Sequence, residues 1–215
     1  MTLAAAAASE ATGTAAGVIA GFSLSALDET RALALRADYL RTDVDMLRGQ
    51  VLELHGAVRR QELFDRTLDK ARMSITALLE QLAHERGMGW CDIAEALGVS
   101  VSAVRKWRKD GGASPNSRLK LARLAALLDV IERVGPIDDP AAWMEMDLPL
   151  GPGFFVRPWD LYLDGHLDAL LDLAGHRRGA AQALDQVRPS WRESRSDFEV
   201  VPDADGEPSL RPWEK

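Results

Sequence analysis

The chain has 215 residues, 47% hydrophobic and 27% charged, with a formal net charge of -7, a composition of ordinary globular proteins that excludes fibrous and wholly disordered classes. One cysteine, Cys91, excludes an internal disulfide and a multi-cysteine zinc site and fits a reducing compartment. No run of eighteen apolar residues occurs and the Ala-rich start lacks a basic leader region, so neither a membrane span nor secretion is expected, and the expected location is the cytoplasm.

Residues 1–26 are small, Gly-interrupted and nearly uncharged, which offers little to bury, and a flexible tail is expected. From 27 to 73 the sequence predicts one long helix. Leu33, Ala37, Leu40, Val44, Leu47, Val51, Leu54 and Val58 recur at alternating steps of four and three, a heptad seam with Leu at d and mostly Val at a, which favours a parallel two-stranded coiled coil and hence a homodimer. Asp43 at g can meet Arg48 at e of the other chain. The next positions in phase, Gln61 and Asp65, end the seam near Val58. A coil of about 40 residues would run roughly 60 Å.

Ser74–Arg86 predicts a helix closed by Gly87, Trp90–Leu97 a second closed by Gly98, and a third begins at Ser100. Ala94 is small where two helices cross, Gly98 tolerates the positive φ of a tight turn, and Ser100 can cap free N–H groups. Ile93, Leu97, Val99, Val104 and Trp107 are the expected core of the unit. With Val104 and Trp107 inward, Val101, Ser102, Arg105, Lys106 and Lys109 face outward or flank that face.

Charge singles out the same segment. From Ser100 to Arg123 seven basic residues stand against one acid, whereas Leu124 to Lys215 carries eighteen acids and nine bases. A basic block in an acidic protein is a local electrostatic footprint for double-stranded DNA. Val101, Ser102, Arg105 and Lys106 are the expected base readers in a major groove, and Ser100, Arg108, Lys109, Arg118 and Lys120 the expected phosphate contacts.

The stretch WCDIAEALGVSVSAVRKWRK, with the following GGASPNSRLKLARLAALL, resembles the helix-turn-helix of the Xre/lambda-repressor-like family, and the resemblance covers about residues 74–134. It implies a DNA-binding regulator. Residues 135–187 predict a small helical domain: a short helix around Trp143, a Gly/Pro loop, then amphipathic pieces carrying Leu161, Leu163, Leu167, Leu170, Leu171 and Leu173. Trp143, the turn Pro158-Trp159-Asp160-Leu161 and Gly165 are similar to the corresponding region of Xre/ParS-type antitoxins, which implies a possible protein partner at Trp143–Ala174. Residues 188–215, acidic and containing Pro189, Pro202, Pro208 and Pro212, read as a second tail unless Trp191, Phe198 or Trp213 docks it.

The four histidines are scattered, so no metal site is expected, and no phosphate loop or nucleophile motif occurs, so neither an enzyme nor a cofactor is expected. The expectation is an all-α protein: a coiled-coil arm, a helix-turn-helix, a small helical domain and two tails. Its expected function is transcriptional control, more readily repression than activation, with an antitoxin and an architectural or segregation protein as alternatives.

Overall fold

The computed structural model describes residues 12–202, 205 and 207–212, with side chains described from Asp28 onward except that of Pro202. The protein is all-α apart from one two-stranded sheet. The chain divides into two compact units, residues 1–53 and 54–215.

Helix α1 runs over Thr12–Ala71. It therefore begins inside the segment expected to be a tail; residues 1–11 of that segment lie outside the described residues. Small Ala-rich sequence lacks bulk to bury, but Ala is also the strongest helix former, and the structure follows that second property. The seam side chains are all exposed, Leu33 at 67%, Leu40 at 58% and Leu54 at 66% among them. At residue 59 the environment changes, and Arg59, Leu63 and Thr67 are buried in the second unit. Arg59 donates to the Leu171 carbonyl at 2.7 Å and to Asp172 Oδ1 at 3.0 Å.

Ser74 caps α2, Ile75–Glu80, by accepting from the Ala77 N–H at 3.1 Å, and α2 passes directly into a π-helical turn, Gln81–Glu85. Helix α3, Trp90–Leu97, ends at Gly98 in the left-handed conformation, φ 67°, and Ser100 caps α4, Val101–Asp110. These match the expected turn and cap. A Cβ at position 98 would meet no neighbouring atom, so the glycine is needed for its φ alone. Gly98→Ala should cost about 1–2 kcal/mol in a denaturant titration, the left-handed penalty of an L-residue, while Gly98→Asn should recover part of it.

Helix α5, Pro115–Val134, is the spine of the unit: Leu121, Leu124, Leu127, Leu128 and Ile131 are fully buried, and α2 and α3 both pack on it. Asp129 of α5 gathers cations from two directions, Lys70 of α1 at 2.8 Å and Arg86 after the π-helical turn at 2.9 Å. Hydrogen bonding to Glu132 is the largest cause that raises the Arg86 pKa above its ordinary value.

Helices α6, Pro140–Glu145, α7, Pro158–Leu163, and α8, Leu167–Ala174, continue the same core through Met144, Trp159, Leu170 and Leu171. Trp159 is 1% exposed and its Nε1 donates to Glu95 Oε2 of α3 at 3.0 Å, tying α7 to the helix-turn-helix. A second buried cluster joins Leu161, Leu173 and helix α9, Ala180–Val187, to Trp191.

Trp191 lies in a 3-10 turn, Pro189–Ser194, is 4% exposed, and packs edge-on to Phe154 at 4.9 Å between ring centroids. Beyond it β1, Phe198–Pro202, pairs antiparallel with β2, Pro208–Pro212. The segment read as an acidic tail thus docks through one of its three aromatics; Phe198 stays exposed and Trp213 lies outside the described residues. Its prolines do not oppose this structure. Pro189 opens the turn, and Pro202, Pro208 and Pro212 stand at strand ends, where a missing N–H costs no interior ladder bond.

Candidate nucleic-acid interface

Helix α4 owes its two faces to spacing. Val104 is fully buried, and Val101 and Trp107, three residues to either side, are half-buried against the same core. Ser102, Arg105, Lys106 and Lys109 stand at i, i+3, i+4 and i+7, one continuous stripe on the helix, and all four are exposed. Val101 therefore spends part of its surface on the core, which reduces what it can offer a thymine methyl. The hydroxyls of Ser100 and Ser102 share a hydrogen bond at 2.9 Å, while Ser100 also accepts from the Ala103 N–H.

The basic residues fall into two groups. Arg105, Lys106 and Lys109 have no hydrogen-bond or ion-pair partner among the described residues. Arg123 of α5 likewise has none, whereas Arg108, Arg118 and Lys120 are engaged. Arg108 Nε lies 3.6 Å from Glu80 Oε1 and its guanidinium sits 5.5 Å from the Trp90 ring centroid, so it is turned toward α2 and α3. Arg118 donates to the Met73 carbonyl at 2.9 Å, and Lys120 to the Leu97 carbonyl at 3.2 Å. Lys120 thereby answers an orphan carbonyl at the C-terminal end of α3 and meets the negative end of its dipole.

The sequence placed all seven basic side chains together in number, but it could not separate these groups. Arg108 and its holders Glu80 and Trp90 are far apart in sequence, and no short-range spacing announces the contact. The free cations need no such contact, and helical periodicity alone finds them.

What the stripe can do chemically is set by its donors. Arg presents a planar fork that fits the O6 and N7 acceptors of guanine, Lys a compact charge, and Ser a hydroxyl that gives or takes a hydrogen bond. Their position on the helix that follows the Gly98 turn is the position from which a helix-turn-helix reads a groove. Among the described residues no cluster of His, Cys, Asp and Glu could hold a metal ion, and no helix is long and apolar enough to cross a membrane.

A family model for the homeodomain-like domain matches residues 67–116, from the last turn of α1 to the first residues of α5. Residues 67–116 thus carry a helix-turn-helix domain, in which α4 is the helix after the Gly98 turn. No curated protein and no solved structure matches the chain.

Proposed function

We propose that this protein is a dimeric, sequence-specific DNA-binding regulator of transcription, acting as a repressor, in which α4 reads the major groove and α1 pairs two copies. The observation that carries this reading is the stripe of Ser102, Arg105, Lys106 and Lys109, whose three cations keep their hydrogen-bonding capacity unspent among the described residues while Arg108, Arg118 and Lys120 spend theirs. Base readout falls to Ser102, Arg105 and Lys106, and a phosphate contact to Lys109. Kinship with the Xre/lambda-repressor-like group is the finer part of the proposal and rests on the residues WCDIAEALGVSVSAVRKWRK.

Pairing through α1 is supported by seven exposed large seam residues and the exposed Ala37 among them, since a row of large apolar side chains is costly to leave in water and a parallel coil would cover it. The toxin-neutralising alternative has less support. Of the six leucines that would face a protein partner between 143 and 174, Leu161, Leu170, Leu171 and Leu173 are buried in the chain's own core and Leu167 half-buried, which leaves only Leu163 exposed.

The test is binding to the DNA upstream of the gene across a salt series, alongside sedimentation. A dimer that neutralises about six phosphates should show a slope of about -5 in log affinity against log salt. A Val44→Asp/Leu47→Asp variant should sediment as a monomer and bind with a slope near half of that. A flat salt response with no preference for upstream over random DNA would refute the regulator, and an unchanged mass in the variant would refute the coil.

A further inference from the structure

A groove of about 530 Å³ opens between the last turns of α1, the first turns of α5 and the start of α8. Its volume lies in the range of small-molecule sites, roughly 300–1,000 Å³. The walls are apolar: Leu63, Phe64 and Leu68 from α1, Leu119 from α5, Leu167 and Leu171 from α8. Phe64, Leu68 and Leu119 are 57%, 45% and 48% exposed, so three large apolar side chains meet water around one concavity.

The polar groups of the lining are nearly all spoken for. The Thr67 hydroxyl donates to the Leu63 carbonyl at 2.6 Å. Arg60 is paired with Asp168 at 2.7 Å, which cancels both charges at that end. Arg123 is exposed and has neither a hydrogen bond nor an ion pair among the described residues. The groove therefore combines an apolar interior with one uncompensated positive charge on its rim. A bare cation beside apolar surface complements a molecule with an apolar body and a single anionic head: the body removes the exposed Phe64, Leu68 and Leu119 faces from water, and the head accepts from the guanidinium.

We propose that this groove binds a small amphipathic anion, an aliphatic or aromatic acid, with its apolar body against Phe64, Leu68 and Leu119 and its acid group on Arg123. The site stands whether or not the protein binds DNA; its use as an effector pocket alone rests on that reading. In that use the ligand touches α1 and α5 together. Leu119 stands one residue from Arg118 and Lys120, whose side chains hold the Met73 and Leu97 carbonyls at the edges of the helix-turn-helix.

The experiment uses the full chain without DNA, so that its outcome is separate from that of the DNA titration. Octanoate, octanol and octyltrimethylammonium are titrated calorimetrically and by thermal shift. Octanoate should bind once per chain and raise the melting temperature saturably, with octanol about tenfold weaker and the cation not binding, because a charged hydrogen bond is worth about one decade in affinity. Arg123→Gln should remove the preference of octanoate over octanol while leaving octanol unchanged. Leu119→Trp, at an exposed position that leaves the core intact, should abolish binding of both. The proposal is overturned if octanoate does not bind, if Arg123→Gln leaves its preference intact, or if Leu119→Trp instead reduces the mass of the assembly, which would mean that a second copy covers the groove.

Discussion

Replacing Arg105 and Lys106 together by alanine is expected to weaken binding to the upstream DNA by at least about thirtyfold and to flatten its salt dependence, because each base contact is worth about 1–3 kcal/mol and each lost cation reduces counterion release. Stability should be unchanged. Both side chains are exposed and without hydrogen-bond or ion-pair partners among the described residues, and Ala is a good helix residue, so the expected shift in unfolding free energy is within about 0.5 kcal/mol. The informative companion is Arg118→Ala. It loses a hydrogen bond to the Met73 carbonyl, which should cost about 1 kcal/mol of stability with little change in DNA affinity. If the double variant binds as wild type and Arg118→Ala does not, the DNA surface lies at the start of α5 instead of on α4.

The largest loss of stability is expected at Trp159. Its indole is almost fully buried between the small helices and the helix-turn-helix, and it makes both an apolar contact and a hydrogen bond to Glu95. Trp159→Ala should cost about 3–5 kcal/mol, a large share of the stability of a domain of this size. Trp159→Phe separates the two contributions. Phe retains most of the apolar volume and loses the N–H, and since Glu95 is exposed its carboxylate regains water, so the cost should fall to about 1–2 kcal/mol. Equal losses for Ala and Phe would mean that the hydrogen bond, not the packing, holds α7 to α3.

The helix-turn-helix was legible because its determinants are local. The positive φ at Gly98, the cap at Ser100 and the inward spacing of Val104 and Trp107 each act within one turn of chain, so residue type and offset suffice to place them; the half-burial of Val101, read as outward, did not follow from spacing alone. The α6–α9 region was legible in outline for the same reason: Pro140 and Pro158 open helices, and Gly165, at φ 83°, separates α7 from α8. Contacts made across long separations left no such trace. Nothing near Arg59 announces Asp172, and nothing near Glu95 announces Trp159. The partition of the basic block into free and engaged cations depends on contacts of this long-range sort, with Glu80, Met73 and Leu97. At the C-terminus Pro content outweighed a stronger signal, since a large aromatic such as Trp191 contributes more by burial than a terminal proline costs.

The engagement of part of the basic block by the chain's own groups bears on how the proposed regulator would find its target. Attraction to arbitrary DNA comes from phosphate neutralisation, and a genome offers about 10⁶ to 10⁹ competing positions. A DNA-binding protein with 33 acidic residues against 26 basic ones, whose Arg108, Arg118 and Lys120 are held by its own chain, would be expected to adhere less to those positions. If the protein is the proposed regulator, a larger share of its copies would remain off arbitrary DNA. A small population per cell would then suffice to occupy a single operator, and modest changes in the amount of protein would translate directly into occupancy.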